Sequence, residues 1–379
     1  MKKVIVLGAG LVGKEMAKDL SARFEVTAAD RSADALRKAF ASHPAVKTLE
    51  ADLAAPGRIR ELVAPFDIVV GALPGFMGKA ALREVIEAGR DVVDIAFFPE
   101  DPFDLDELAK QKGVTAIVDF GVAPGMSNMF AGYHQKAMAS LTSVEILVGG
   151  LPVVREFPFE YKAVFSPIDV IEEYTRPARY IEHGQEVVRT ALSDAELVSF
   201  PGIGTLESFN TDGLRSLART IKCPNMKEKT LRFPGHIHLM TVLREAGFFD
   251  KTPIEVAGRM IAPLEFTARV MFPKWQLKPG EEDFTVMRVT VEGLDTQGRA
   301  EKVTYDLLDR FDTVGGVTSM ARTTGYTGTA GVRLLAEGRF KRPGVNPPEF
   351  VGEDEACLQF VLAHLAERNI HYHKTVSRG

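Results

Sequence analysis

Two cysteines in 379 residues, Cys223 and Cys357, lie too far apart in sequence to suggest a disulfide framework. Neither has Cys or His neighbours at zinc-ligand spacing, and His371 with His373 lacks a third ligand, so no metal site is expected. Both thiols read as reduced groups in a cytoplasmic protein. No apolar run reaches the roughly 20 residues needed to cross a bilayer, so no membrane association is expected. Cationic excess is also missing. The formal net charge is −5, which lacks the basic footprint of a nucleic-acid binder. No internal repeat or low-complexity segment is found. Lys2-Lys3 before an apolar run imitates a signal peptide, but Lys14, Glu15, Lys18 and Asp19 follow too soon.

What is present is the composition of a globular chain, 45% hydrophobic and 26% charged, with a length suited to two domains. The first thirty residues organise it. Val4-Ile5-Val6-Leu7 is a short buried-strand pattern, and Gly8-Ala9-Gly10-Leu11-Val12-Gly13 follows at once. A helical pattern with Met16 and Leu20 on one face comes next, then a second apolar run ending in Asp30. Strand, glycine turn, helix, strand and acid form a dinucleotide-binding fingerprint. Gly8 serves the tight turn, Gly10 the approach of a pyrophosphate, and Gly13 close helix–strand packing. The pyrophosphate belongs on the helix N-terminus. Asp30 stands about 20 residues on, where a carboxylate binds the adenosine ribose. It repels a 2′-phosphate, so NAD is expected over NADP, although Arg31 beside it offsets part of that repulsion. A glycine-rich turn that only packs is the bland alternative.

Alternation continues to residue 119. Helices are predicted at 33–40, 58–63, 78–88 and 105–111, and strands at 46–50, 67–71, 91–95 and 114–119. This is a doubly wound parallel sheet, whose ligands bind beyond the carboxyl ends of its strands. Asp52, Leu53, Ala72, Leu73, Pro74, Asp94, Ile95 and Gly121 follow those ends and are further cofactor-site candidates. For Asp52 and Asp94 a purely structural carboxylate is an equal reading. Ala123-Pro124-Gly125 breaks the alternation. Boundaries are therefore placed at 1–123 for a Rossmann domain, 124–330 for a mixed α+β substrate and dimerisation domain, and 331–379 for a segment packing back on the first. In the middle region a strand is predicted at 144–149. Antiparallel strands are predicted at 286–291 and 302–308, joined near Asp295–Gly298. Helices are predicted at 167–174, 210–222, 236–246 and 253–262, and an amphipathic one at 351–368. His371-Tyr372-His373 suggests a last short strand. Gly325, Gly328 and Gly331, spaced by three, read as helix packing and not as a second nucleotide loop.

Three polar clusters in the middle region are candidates for substrate chemistry: Tyr161-Lys162, Asn210–Arg215 and Thr230–His236. Arg232 suits a bidentate carboxylate contact, and His236 a proton transfer near neutral pH. Each taken alone has a packing or surface role as the ordinary reading.

The Ala-Leu-Pro-Gly-Phe loop (72–76), the Phe-Gly-Val-Ala-Pro-Gly turn (120–125) and the Thr-Leu-Arg-Phe-Pro-Gly-His run (230–236) resemble the saccharopine dehydrogenase-like family. Residues 121–128, 171–178 and 319–322 look like its lysine 6-dehydrogenase branch. The saccharopine-forming members resemble Asp-Pro-Gly where this chain has Ala123-Pro124-Gly125, and Asn-Arg-Asp where it has Asn210-Thr211-Asp212. Thr211 supplies no cation for the extra carboxylates of saccharopine. The resemblance implies NAD-dependent oxidative deamination of the lysine ε-amine to 2-aminoadipate 6-semialdehyde with release of ammonia. It also implies a small amino-acid substrate, with a homodimer as the default assembly for this plan. The expected roles are proton transfer for His236, then Tyr161 and Lys162. The substrate carboxylate falls to Arg232 and its α-ammonium to Asp212 or Glu173, with Thr211 and Arg215 nearby. Lys162 needs a lowered pKa for this task. Saccharopine or a carboxylated polyamine is the alternative substrate. A dinucleotide-binding regulator without turnover is the alternative from another class.

Overall fold

The computed structural model describes residues 1–278 and 280–378; the end of the expected C-terminal segment, residue 379, lies outside them. The chain divides into two compact units, Met1–Ala137 with Ala321–His371, and Met138–Met320 with Tyr372–Gly379.

The first unit opens with alternating strands and helices: β1 (Lys3–Leu7), α1 (Gly13–Ser21), β2 (Glu25–Asp30), α2 (Ala33–Phe40), β3 (Val46–Glu50), α3 (Arg58–Val63), β4 (Ile68–Gly71), α4 (Gly75–Glu87), β5 (Asp91–Asp94), α5 (Asp106–Lys112), β6 (Thr115–Ile117) and α6 (Met126–Ala137). The strands are parallel in the order β3-β2-β1-β4-β5-β6, with the crossover between β1 and β4 that defines a ligand crevice. Val4, Ile5, Val6 and Leu7 are fully buried because helices cover both faces of β1.

The second unit begins with β7 (Ser140–Pro152), α7 (Pro167–Thr175), β8 (Ala178–Glu182), β9 (Gln185–Arg189), β10 (Glu196–Phe200), β11 (Gly204–Asn210), α8 (Leu217–Thr220) and β12 (Met226–Arg232). It continues with α9 (His236–Glu245), β13 (Ile254–Val256), β14 (Arg259–Ile261), α10 (Pro263–Trp275), β15 (Asp283–Leu294) and β16 (Ala300–Arg310). Its large mixed sheet runs β10-β11-β12-β7-β15-β16, with β8 and β9 attached at β12. β15 and β16 pair antiparallel across the turn, from Phe284↔Arg310 to Leu294↔Ala300.

The remainder is α11 (Ser319–Ala336), β17 (Gly344–Asn346), α12 (Pro348–Gly352), α13 (Glu355–Ala366) and β18 (Tyr372–Arg378). β17 adds a seventh parallel strand beside β6, and β18 closes the second sheet beside β16. α6 packs on α12 within the first unit, so the first division falls after Ala137. The glycines of α11 are packing positions. A Cβ at Gly325 would meet Met16 and Val12, and one at Gly328 would lie 2.5 Å from Met16.

Two predicted helices are not formed. Residues 210–222 leave β11 into a turn, where Arg215 has φ +54° and only Leu217–Thr220 is helical. Residues 253–262 fold as the hairpin β13–β14, because Ala257 and Gly258 take positive φ between two three-residue strands. The predicted helix at 351–368 is broken at Asp354, which caps α13 through Ala356 N–H.

Candidate cofactor and substrate sites

The cofactor candidate in the first unit is built from backbone. Gly8 has φ +99°, and its amide donates to Ala29 O at 2.8 Å, which ties the turn to β2. A Cβ on Gly13 would stand 2.1 Å from Gly8 O and 3.1 Å from Ala72 Cβ, so this position is closed by the protein itself. A Cβ on Gly10 would meet nothing within 4 Å. Gly10 therefore answers to no internal packing need, and its bare, exposed backbone fits the close approach of a ligand phosphate. Asp30 ends β2, and its carboxylate accepts from Ala9 N–H at 2.9 Å and Ser32 N–H at 3.1 Å. It anchors the glycine loop. Arg31 is exposed beside it.

The other strand-end candidates divide. A Cβ on Gly8 would lie 2.5 Å from Ala72 O and 3.4 Å from Leu73, and Pro74 leads into α4. Asp94 is buried, accepts from Ala96 N–H at 2.6 Å, and occupies the space a side chain on Gly71 would need. Ile95 N–H donates to Gly71 O. Asp52 caps its own turn through Ala54 N–H, with Leu53 buried next to it. Gly121 closes a tight turn by donating to Pro124 O. Leu11 is exposed and Val12 precedes the first turn of α1.

In the second unit four separated segments bring Tyr161, Tyr174, Arg232, His236 and Trp275 into one buried cluster, with Glu173 partly buried at its edge. Arg232 ends β12, and four residues later His236 starts α9, after Gly235 turns the chain with φ +97°. Arg232 donates to Glu173 at 2.6 Å, to Leu231 O at 3.0 Å and to Tyr174 Oη at 3.3 Å. Its guanidinium lies 4.5 Å from the Tyr161 ring centroid. His236 Nδ1 is 2.8 Å from Phe159 O, and Nε2 is 2.9 Å from Tyr174 Oη. A carbonyl only accepts, so Nδ1 carries the proton and Nε2 accepts from Tyr174. Burial, then the Arg232 charge, pushes His236 down to about 3. Burial raises Tyr174 to about 12 and holds Tyr161 well above the ordinary phenol range, with Arg232 opposing in both cases.

These contacts change the expected roles. Arg232 is committed to Glu173, so neither stands ready for a substrate carboxylate or ammonium in this structure. His236 is neutral, with both nitrogens engaged. Lys162 is buried and ion-paired with Glu156 at 2.8 Å and Glu281 at 3.7 Å. Asp212 is held bidentately by Arg179, both contacts at 2.9 Å. Arg215 is buried in the same turn. Thr211 Oγ1 donates to Glu228 at 2.5 Å and lies 3.0 Å from Thr230 Oγ1. Burial raises Glu228 to about 8, opposed by the Thr211 hydrogen bond. Tyr161 Oη and Trp275 Nε1 are buried without hydrogen-bond partners among the described residues. Tyr174, Glu228 and Trp275 were not among the sequence candidates. Nothing in their local patterns separates them from core residues. Among the described residues no cluster suited to a metal ion occurs, and no helix is long and apolar enough to cross a membrane.

Two family models match this chain. The saccharopine dehydrogenase NADP binding domain covers residues 4–117, and the saccharopine dehydrogenase C-terminal domain covers 121–370. The chain belongs to the saccharopine dehydrogenase family. It is 22% identical over 421 residues to saccharopine dehydrogenase [NADP(+), L-glutamate-forming] of Saccharomyces cerevisiae, covering 92% of this chain and 94% of that one. It is also 22% identical to the mitochondrial alpha-aminoadipic semialdehyde synthase of Bos taurus, with 92% of this chain covered. There it spans about half the relative, 45% of its length. The apo saccharopine dehydrogenase (L-Glu forming) structure from Saccharomyces cerevisiae shares the fold, with TM-score 0.81 and 18% identity over all of both chains. The family thus accounts for a parallel dinucleotide-binding sheet followed by a mixed sheet in one chain.

Proposed function

We propose that this protein is a pyridine-nucleotide-dependent oxidoreductase acting at the C–N bond of a lysine-derived amino acid. The observation that carries this reading is the open position at Gly10 in a complete glycine cradle, in a chain that both saccharopine dehydrogenase models match. Gly8, Gly10, Gly13 and Asp30 would hold the dinucleotide, which when bound supplies or accepts a hydride. The carboxylate of Asp30 supports NAD; the family description and the yeast relative's name support NADP. A saccharopine-type secondary amine is the leading substrate, because the relatives matched over most of their length bear that name.

Oxidation at carbon requires an amine nitrogen without its extra proton, so an acceptor must hold that proton. Tyr161 is our candidate for contact with the reacting amine, since its hydroxyl has no hydrogen-bond partner among the described residues and a guanidinium faces its ring. To take that proton Tyr161 must first be a phenolate, which the transfer converts to the phenol; burial favours the phenol form and the facing Arg232 charge opposes the burial. Tyr174 and His236 act as positioning residues, passing their hydrogen bonds back to Phe159 O. Free lysine is the second reading. It is favoured by Thr211, whose hydroxyl is already bonded to Glu228 and which offers no charge to extra carboxylates.

Initial rates of NAD(P)H formation with saccharopine and with lysine, each with NAD and NADP, test the proposal. Turnover of saccharopine well above that of lysine is expected. The reverse ratio would establish the second reading, and no turnover of either amine at any pH would sink both.

A further inference from the structure

The mixed sheet of the second unit is curled, not flat. In its order β10 stands four strands from β15 and five from β16. A flat sheet would separate them by about 19 and 24 Å. Instead the Arg288 guanidinium on β15 lies 4.8 Å from the Phe200 ring centroid on β10. Arg310 on β16 donates to Gly202 O, in the β10–β11 turn, at 3.3 Å. The β10–β11 hairpin therefore arches back over β15 and β16, and a hollow of about 430 Å³ is left beneath it. That size falls in the range of small-molecule sites. The charges of the hollow are sorted. One row across the sheet is Glu145, Thr290, Thr304 and Thr375, on β7, β15, β16 and β18. Glu196 lines the hollow from the arch. The two glutamates share one end, since Glu145 pairs with Lys227 at 2.8 Å and Glu196 with Lys229 at 3.0 Å, two residues apart on β12. Lys302 marks the other end, two residues along β16 from Thr304, and lies 2.9 Å from Glu292. Arg288 and Asp306, also in the lining, are paired at 2.7 Å and cancel. The end groups keep capacity for a ligand, because a carboxylate accepts at about four sites and an ammonium donates three hydrogen bonds.

We propose that this hollow binds a small amino acid with an ammonium and a carboxylate at opposite ends of a short carbon chain. The ammonium sits between Glu145 and Glu196, and the carboxylate meets Lys302 and the threonine hydroxyls. Leu147 and Val198 give the carbon chain apolar contact. β7 and β16 are two strand spacings apart, about 10 Å. A six-carbon ω-amino acid is about 8 Å long at ~1.5 Å per bond, so both ends are reached at once. A dication would leave Lys302 unmet, and a dianion would face the two glutamates. Tyr161, Tyr174, Arg232 and His236 do not line the hollow, so its ligand is an effector and not the substrate. The assignment does not depend on which amine is oxidised.

Calorimetric titration of the full chain with 6-aminohexanoate tests the site, because this probe has no α-ammonium for a substrate site. The wild type should bind one molecule per chain. T304L, which plugs the hollow, should weaken binding roughly a hundredfold, and E145Q about tenfold. Y161F should bind as the wild type does. Hexylamine, without the carboxylate, and hexanoate, without the ammonium, should each bind about tenfold more weakly or worse. If T304L does not fold, E145Q decides. No binding by the wild type at millimolar concentration would overturn the proposal. So would binding that survives E145Q and T304L, or binding lost in Y161F alone, which would place the molecule in the catalytic cluster. The readout is binding, so failure of the proposed reaction is seen separately, in the initial rates.

Discussion

The cradle of the first unit and the polar cluster of the second are made of opposite materials. The cradle is backbone: glycines, amides and one anchoring carboxylate, with Gly10 left bare. The cluster is side chains: Arg232, Glu173, Tyr174 and His236 bonded to one another, with exposure near zero for Arg232 and Tyr174. A backbone site holds its ligand through groups that every residue carries, so its demand on sequence is space. A side-chain site holds charges out of water, so its demand is that every partner be present. The two should therefore fail in different ways. Substitutions in the cluster should damage the fold first, and substitutions in the cradle should damage binding first.

The largest effect is expected from breaking the buried ion pair. R232M leaves the partly buried Glu173 without its cation, and E173Q leaves the buried Arg232 without its anion. Each should cost about 3–5 kcal/mol in urea unfolding. A loss below about 1 kcal/mol in both would show that the pair is not what holds the cluster.

The next effect is a stability profile with two limbs. Glu228 keeps its proton in the folded state up to about pH 8, whereas an unfolded carboxyl releases it near 4.5. The folded state then binds more protons between these values. The contribution of Glu228 is therefore full below 4.5 and declines as pH rises toward 8. His236 acts in the opposite sense. It stays neutral in the fold down to about pH 3, while an unfolded histidine charges below 6.5, so stability falls as pH drops through that window. E228Q should flatten the alkaline limb, by up to a few kcal/mol, and H236Q the acid limb. Urea midpoints from acid to mildly alkaline pH measure both. An E228Q profile that still declines toward pH 8 as steeply as the wild type would remove Glu228 from this account.

The smallest effect separates two glycines of the same turn. G13V drives a side chain into Gly8 O and Ala72, and should cost roughly 1–3 kcal/mol of stability along with dinucleotide binding. G10A meets no protein atom and should melt with the wild type. Its affinity for NADH should still fall about tenfold, or ~1.4 kcal/mol. Fluorescence titration beside thermal melting reads both. Unchanged binding in G10A would mean that the open space serves no ligand.

Legibility in the sequence followed the same division. β1, the glycine turn, α1 and β2 are contiguous, so their pattern could be read directly, and α2, β3 and α3 match the predicted spans. The antiparallel pair β15–β16 was visible from its alternation and its Asp-Thr-Gln-Gly turn. Residues 253–262 were misread as a helix because the turn signal, Ala257-Gly258, is a weak one: alanine seldom takes positive φ. Residues 210–222 were misread because Thr211 and Asp212 are bonded to Glu228 and Arg179, outside the stretch, and these contacts override local preference. Arg232 and His236 were found as a pair four residues apart. Their partners Tyr174 and Phe159 come from 58 and 77 residues away in sequence and left no local trace.

By itself the sequence determined the parallel dinucleotide-binding sheet, its glycine cradle and the family. All three depend on residue spacing within short stretches, where backbone geometry ties sequence distance to spatial distance. Tertiary structure alone decided which polar groups are occupied. Arg232 is bonded to Glu173, Lys162 is paired with Glu156, burial raises the Glu228 carboxyl to about 8, and the Tyr161 hydroxyl has no hydrogen-bond partner among the described residues. The reason is physical. The charge state and availability of a buried side chain depend on what packs around it, and in this chain those neighbours come from strands and helices far apart in sequence.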